Sequence, residues 1–108
     1  MSDKPDDAKA QATVFIDNAH VRVTEWRFAP AASTGWHRHE YDYVVVPMAD
    51  GRLKIVIDGG EVSFAELKKG VPYFRNLGVE HDVINANDTE YTFVEIELKP
   101  QADAQPGN

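Results

Sequence analysis

The feature that most limits the fold of this chain is a succession of short β-rich runs separated by turn residues. Eight or nine runs of β-branched and aromatic residues follow one another at even spacing, and no segment carries a convincing helical period. Between two of these runs, Asp58-Gly59-Gly60 is a strong hairpin turn. This pattern predicts an all-β fold, either a sandwich or a barrel, and it includes the double-sheet jelly roll.

Two histidines belong to one predicted strand. His37 and His39 follow Gly35, and the strand continues through residues 41–46 before Pro47 stops it. Residues two apart in a strand point to the same face, so both imidazoles can enter one cavity. Neutral imidazole is the commonest nitrogen ligand for zinc, iron, copper and nickel. The pair therefore predicts part of a metal site.

A third ligand must come from elsewhere in the chain, because two imidazoles hold a metal weakly. The remaining histidines are His20 and His81. His81 follows the turn at Gly78 and begins another β-rich run, as a ligand at a strand entrance would. His20 has no such partner and is expected at the surface. We therefore predict one site built from the first pair and His81.

The length of the chain, 108 residues, suits one domain with a single core. Residues 1–11 are polar and charged, and they are expected to form a disordered N-terminal tail. Residues 12–99 form the predicted domain. Residues 100–108 are expected to be a flexible C-terminal tail.

Charge and composition exclude several classes of partner and chemistry. The net charge of −7 disfavours nucleic acid and anionic membrane surfaces as partners. The absence of cysteine excludes disulfides, thiolate metal sites and cysteine nucleophiles. No apolar run approaches the roughly 20 residues of a membrane span, and the first residues lack the apolar core of a signal peptide. A cytoplasmic location is expected.

The segments around the histidines resemble the two motifs of the cupin superfamily. The first motif runs glycine, His-x-His, glutamate, glycine; the second is Pro-x-Gly-x-x-His-x-x-x-Asn. The matching residues are Gly35, His37, His39, Gly51, Gly78, His81 and Asn85. The spacing after the first glycine is shortened, and Asn76 replaces the proline. Within the superfamily, the chain resembles the small single-domain cupins of the β-alanine degradation (BauB) type.

The resemblance implies a single-domain cupin jelly-roll β-barrel that binds a divalent metal ion. The usual glutamate ligand would fall at residue 43 or 44, where this chain has Tyr43 and Val44. The expected ligand set is therefore three neutral histidines without a carboxylate. Such a set resembles the three-histidine iron site of acetylacetone- and thiol-oxidising dioxygenase cupins. Iron is favoured, and zinc, nickel and manganese are alternatives, because imidazoles alone do not choose between them.

Two kinds of function follow from this resemblance. One is an enzyme that acts on a small polar metabolite in amino-acid catabolism, β-alanine catabolism included. It would be a mononuclear non-haem iron dioxygenase or a metal-assisted hydrolase or isomerase. The other is a non-catalytic metabolite-binding or accessory module. Cupins commonly pair through their sheets, so a homodimer with the N-terminal strand near the interface is expected.

Four other side chains are candidates for the cavity. Tyr43 shares the parity of the histidines and is the candidate catalytic residue, as a phenolate ligand or a proton donor; the simpler interpretation is a lining aromatic. Tyr41 has the same parity and the same alternatives. Arg75 lies just before the second motif and could hold a substrate carboxylate, or it could be a surface charge. Trp36 is a candidate substrate contact, with a core or dimer contact as the alternative.

The remaining polar and aromatic residues receive structural interpretations. Asn85 is expected to tie backbone at a turn. Glu95 and Glu97 share one face of the last predicted strand and are interpreted as a solvated or interface face, not as an acid–base pair. Trp26 is interpreted as a core or dimer contact.

Overall fold

Two antiparallel β-sheets face each other across a common interior. The computed structural model describes residues 8–101. Its strands are β1 (Gln11–Asp17), β2 (Val21–Phe28), β3 (His37–Arg38), β4 (Asp42–Pro47), β5 (Gly51–Val56), β6 (Val62–Leu67), β7 (Tyr73–Arg75), β8 (Glu80–Asn85) and β9 (Tyr91–Leu98). One sheet has the order β1-β2-β9-β4-β7, and the other has the order β3-β8-β5-β6. The predicted all-β jelly roll is confirmed.

Most of both predicted tails lies outside the described residues. On the N-terminal side, Lys9 already forms an isolated bridge with Ser33, and β1 begins at Gln11. The hairpin predicted at residues 58–60 joins β5 and β6 through a 3-10 turn, in which Gly59 and Gly60 have φ angles of 86° and 82°. No helix in residues 8–101 is long and apolar enough to cross a membrane.

The predicted continuous histidine strand is wrong. His37 lies on β3, in the four-stranded sheet, whereas β4 belongs to the five-stranded sheet. Between them, the amide of His39 donates to the carbonyl of Val79 at 2.9 Å, and the amide of Gly78 donates to the carbonyl of His39 at 2.8 Å. These bonds tie the chain to the turn before β8, and beyond His39 it crosses to the opposite sheet. Alternation of side chains along a sequence does not reveal such a change of sheet.

Strand β9 supplies much of the interior because it lies between β2 and β4 and is paired on both sides. Its buried and half-buried residues alternate, so one face points inward throughout. Tyr91 and Phe93 on this face join the hydrophobic core, and the Phe93 ring lies 5.4 Å from that of Phe28. The same face continues with Glu95 and Glu97, which are also buried.

Packing explains the glycine that closes the first histidine motif. A Cβ atom at Gly51 would lie 2.6 Å from the ring of Tyr91. That ring cannot move away easily, because its hydroxyl donates a 2.6 Å hydrogen bond to the carbonyl of Ala49 and the side chain is buried. Glycine therefore fits at this position, whereas any residue with a Cβ atom would clash with the Tyr91 ring.

Asn85 ties together the chain at the end of β8, as predicted. Its side-chain amide donates to the carbonyls of Phe28, Ala29 and Thr89 at 2.9–3.2 Å. Its side-chain oxygen accepts hydrogen bonds from the backbone and side-chain amides of Asn87. The residue is 2% exposed, so this network satisfies buried polar groups that would otherwise have no partner.

Candidate metal centre

Three imidazoles converge at one point inside the jelly roll. His37 and His81 are directly opposite each other in the β3–β8 pair, and His39 follows at the sheet crossing. The Nε2 atom of His39 lies 2.9 Å from Nε2 of His37 and 3.1 Å from Nε2 of His81. His39 and His81 are buried, and His37 is half-buried. The short β3 strand and the start of β8 thus bring together the two distant histidine segments.

The spacing of these nitrogens fits a metal ion. Metal–imidazole bonds of about 2.1 Å at right angles would place two nitrogens about 3.0 Å apart. The two observed Nε2 separations bracket that value. The group His37, His39 and His81 is therefore a cluster that could hold one metal ion through three neutral imidazoles.

Hydrogen-bond contacts at Nδ1 orient the ring of His37. Its Nδ1 atom lies 2.9 Å from the carbonyl oxygen of Gly35 and 3.2 Å from the hydroxyl of Thr34. A carbonyl only accepts, so Nδ1 carries the proton and donates it to Gly35. This assignment leaves Nε2 as the free acceptor that faces the other two histidines, as metal-ligating histidines require.

Glu95 lies beside His39, on the side of the ring away from the other histidines. Its Oε2 atom is 3.6 Å from Nδ1 of His39. Its Oε1 atom accepts a 3.2 Å hydrogen bond from the indole N–H of Trp26. Glu97, one step along the same face, is held by Arg22 at 2.7 Å. His39, Glu95 and Glu97 are close enough to form a second possible ligand group, but one of its carboxylates is already paired with an arginine.

Burial keeps the imidazoles of His39 and His81 neutral. Burial, followed by the charges of His37 and His81, lowers the pKa of His39 to about 3. Burial also lowers the pKa of His81 to about 4, with smaller contributions from the charges of His37 and Arg75. Burial raises the pKa of Glu95 to about 7, against the lowering effect of the Trp26 hydrogen bond. The contact between His39 and Glu95 therefore joins a neutral imidazole to a carboxyl group that is part protonated near neutral pH.

Tyr43 stacks on His39. The two ring centroids are 3.9 Å apart with an interplanar angle of 15°, and Tyr43 is 2% exposed. Burial raises its pKa well above the ordinary value, so the side chain is a neutral phenol at physiological pH. The Tyr43 side chain lines the cavity. Tyr43 faces the cavity from β4, on the sheet opposite β3.

The three candidate substrate contacts occupy different places. Arg75 lines the cavity, where it is paired with Tyr43 across the β4–β7 register. Tyr41 is half-buried beneath the guanidinium of Arg22, 5.7 Å from its ring centroid, and is not among the cavity-lining residues. Tyr41 lies in the crossing segment before β4, outside any strand, so the alternation that brings Tyr43 inward does not apply to it. Trp36 is 49% exposed and is not among them either.

The cavity beside the histidines is small and has mixed walls. Its volume is about 70 Å³, which is room for roughly five water molecules. The polar lining comes from the histidines, Thr34, Tyr43, Tyr73, Arg75 and Glu95. The apolar lining comes from Trp26, Val45, Leu53, Ile55, Ala65, Val83 and Phe93. This cavity suits a small ligand, and a wider groove of about 320 Å³ also borders His37 and His39.

The interpretation of Glu95 and Glu97 as a solvated face is wrong. They are 7% and 9% exposed, and Glu95 lines the cavity. The alternation along β9 groups them with Phe93, whose apolar ring indicates an inward face. The two negative charges indicate a solvent-exposed face, and this indication conflicts with the alternation that groups both residues with Phe93. The sequence also does not identify Trp26 as the partner of Glu95, because the cross-strand neighbours of Trp26 follow only from the β2–β9 register.

A crystal structure of a cupin domain from Bordetella pertussis Tohama I is similar to this chain. The two share 55% sequence identity with a TM-score of 0.83, over 86% of this chain and 96% of that one. The chain is a cupin. This cupin is also 54% identical to the β-alanine degradation protein BauB of Pseudomonas aeruginosa, over 92% of this chain and all of the relative.

More distant structures share the fold of this cupin. A Klebsiella pneumoniae protein with a double-stranded β-helix domain has a TM-score of 0.71 at 19% identity, over 93% of this chain and 85% of that one. No protein-family model matches the chain. The resemblance to small single-domain cupins of the BauB type is thus confirmed by whole-length similarity.

Proposed function

We propose that this cupin binds one iron(II) ion through His37, His39 and His81 and acts as a mononuclear non-haem dioxygenase on a small polar metabolite. The observation that carries the proposal is the convergence of three Nε2 atoms, two of the separations being 2.9 Å and 3.1 Å. When bound, the ion would supply a site for a donor atom of the substrate and for dioxygen. The three imidazoles offer no charge of their own, so the ion would keep its full positive charge for an anionic ligand.

The protein residues have separate tasks in this proposal. The carbonyl of Gly35 holds the proton of His37 on Nδ1 and leaves Nε2 for the ion. Tyr43 keeps its phenolic proton, because burial raises its pKa, and can donate it to a substrate oxygen in the cavity. The apolar wall limits the water that reaches the ligand.

We propose a place in amino-acid catabolism for this activity. The relative from Pseudomonas aeruginosa is named a β-alanine degradation protein, and the small cavity suits a metabolite of that size. The exposed apolar residues Val14, Phe15 and Ile16 of β1, which are 47–57% exposed, support a homodimer that uses the N-terminal strand. A cytoplasmic location remains the expectation from the sequence.

Oxygen uptake tests the proposed reaction. The iron(II)-loaded protein would be mixed with β-diketones, thiols and intermediates of β-alanine breakdown, with uptake followed on an oxygen electrode. We expect uptake with at least one of these compounds, and none with the zinc-loaded protein or with His81→Ala. No uptake from an iron-loaded protein that binds one of the compounds tightly would contradict the dioxygenase and favour a non-catalytic metabolite-binding role.

A further inference from the structure

Arg75 differs from the other arginines within residues 8–101 because it has no carboxylate partner. The other four each lie within 3.4 Å of a glutamate, in the pairs Arg22–Glu97, Arg27–Glu25, Arg38–Glu80 and Arg52–Glu66. Within residues 8–101, no carboxylate lies within 4 Å of the Arg75 side chain, whose recorded hydrogen bond is to the carbonyl of Phe74 at 3.3 Å. In a chain with 18 acidic and 11 basic residues, this missing partner marks the position as unusual.

Arg75 lies at the edge of the cavity that the three histidines line. It lines the cavity and also the groove between β6 and β7 that adjoins it, so it lies at the junction of the two. Tyr43 is its direct partner across the β4–β7 register, and directly opposed side chains lie on the same face of the sheet. Tyr43 in turn stacks on His39. Only one aromatic residue therefore separates the arginine from the nearest candidate metal ligand.

Arg75 is exposed to solvent, and a cation–π contact with Tyr73 orients its guanidinium. Its central carbon lies 4.8 Å from the centroid of the Tyr73 ring, a distance at which the ring face attracts a cation. The exposed cation thus lies at the edge of the cavity, and within residues 8–101 the protein uses few of its hydrogen-bond donors.

We infer that Arg75 anchors the carboxylate of a short aliphatic substrate whose other end carries an oxygen, nitrogen or sulfur donor for the metal. A guanidinium binds a carboxylate through two parallel hydrogen bonds. The apolar wall, including Val45, Leu53 and Val83, suits the methylene groups between the two ends. The cavity volume of about 70 Å³ suits a chain of a few carbons. This inference rests on the proposed function for the role of the second end.

The test uses a matched pair of three-carbon probes. 3-Hydroxypropionate has a carboxylate at one end and a hydroxyl at the other, and 1,3-propanediol replaces the carboxylate with a second alcohol. Binding to the full-length, metal-loaded protein would be measured by isothermal titration calorimetry. We expect 3-hydroxypropionate to bind more tightly than the diol by about 10- to 100-fold, the usual contribution of hydrogen bonds to a charged group.

Variants assign that preference to the arginine. Arg75→Gln should lose about 10- to 100-fold in affinity for 3-hydroxypropionate and leave affinity for the diol unchanged. Arg75→Lys should recover only part of the loss, since it restores the charge without the paired donors. Arg52→Gln is the matched control, because that arginine is exposed and pairs with Glu66; it should bind both probes as the unaltered protein does.

Three results would overturn the inference. The first is that 3-hydroxypropionate fails to bind at millimolar concentration. The second is that Arg75→Gln binds it as tightly as the unaltered protein does. The third is that Arg75→Gln keeps its affinity but changes its oligomeric state, as measured by sedimentation. The last result would mean that the arginine pairs with another subunit. Metal content, measured on the same samples, separates this inference from the proposed function. A protein without metal that still binds the carboxylate through Arg75 refutes only the proposed function, whereas a metal-bound protein indifferent to Arg75→Gln refutes only the inference.

Discussion

Glu95 and His39 contact each other on the edge of the imidazole that faces away from the other two histidines. The carboxyl Oε2 lies 3.6 Å from Nδ1, while Nε2 of the same ring lies 2.9 Å from His37. The 3.6 Å separation exceeds ordinary hydrogen-bond length, and a shift of about half an ångström would close it. The hydrogen bond from Trp26 fixes the other carboxyl oxygen. Glu95 is therefore placed to orient His39 from the Nδ1 side of the ring.

The first prediction concerns this contact. Glu95→Gln should weaken metal binding by about 10- to 100-fold, because an amide in place of the carboxyl is a weaker acceptor for the Nδ1 proton of His39 once the metal draws the two groups together. Competition with a chelating dye would measure the dissociation constant. Glu66→Gln, at an exposed residue paired with Arg52, is the control and should leave metal affinity unchanged. Equal affinity in both variants would show that Glu95 does not act on His39.

The second prediction concerns Asn85. Asn85→Ala should lower the free energy of unfolding by about 3 kcal/mol, because several buried backbone carbonyls would lose their donors at once. Urea denaturation of the metal-free protein would measure the change. Asn76→Ala, at an exposed turn position, should shift stability by no more than about 0.5 kcal/mol. Similar losses in the two variants would contradict a structural role specific to Asn85.

The third prediction concerns acid stability of the metal-free protein. The folded-state pKa values of His39 and His81, about 3 and about 4, lie below the ordinary value of 6.5. Between about pH 4 and 6.5 the unfolded chain therefore binds more protons, and stability should fall as the pH is lowered through this window. Glu95, with a pKa of about 7 instead of 4.5, acts in the opposite direction, because its stabilising contribution is lost as the pH rises toward 7.

Two variants test the sign of each contribution. His81→Asn should make the stability loss shallower between pH 6.5 and 4, because one of the two titrating imidazoles is removed. Glu95→Gln should make it steeper, because the opposing carboxyl is removed. Urea denaturation at several pH values in the presence of a chelator would measure both slopes. A Glu95→Gln slope equal to or shallower than that of the unaltered protein would refute the opposing role of the carboxyl.

The sequence predicts the fold and the grouping of the three histidines, because the strands and the two histidine segments are visible in local patterns. Alternating apolar residues and glycine turns indicate the strands, and the His-x-His pair with a third histidine after Gly78 indicates the cluster. The β3–β8 register then places His37 opposite His81. Such a contact between distant segments follows from the fold and is outside the reach of local periodicity.

The surroundings of the candidate site could not be predicted in the same way. The change of sheet after His39 depends on backbone hydrogen bonds to Val79 and from Gly78, which no side-chain pattern records. The buried position of Glu95 depends on a neighbour, Trp26, that is 69 positions away in the sequence. Charge favours solvent in the absence of such a partner, so the sequence alone favours the wrong face.

Metal content tests the central claim most directly. The protein would be purified without added metal, incubated with iron(II) under argon, desalted and analysed for its elements, beside His81→Ala and the exposed control His20→Ala. We expect about one metal ion per chain in the unaltered protein and in the control, and almost none in His81→Ala, because a pair of imidazoles holds a metal weakly. A metal-free unaltered protein, or equal metal in His81→Ala, would contradict a centre formed by His37, His39 and His81.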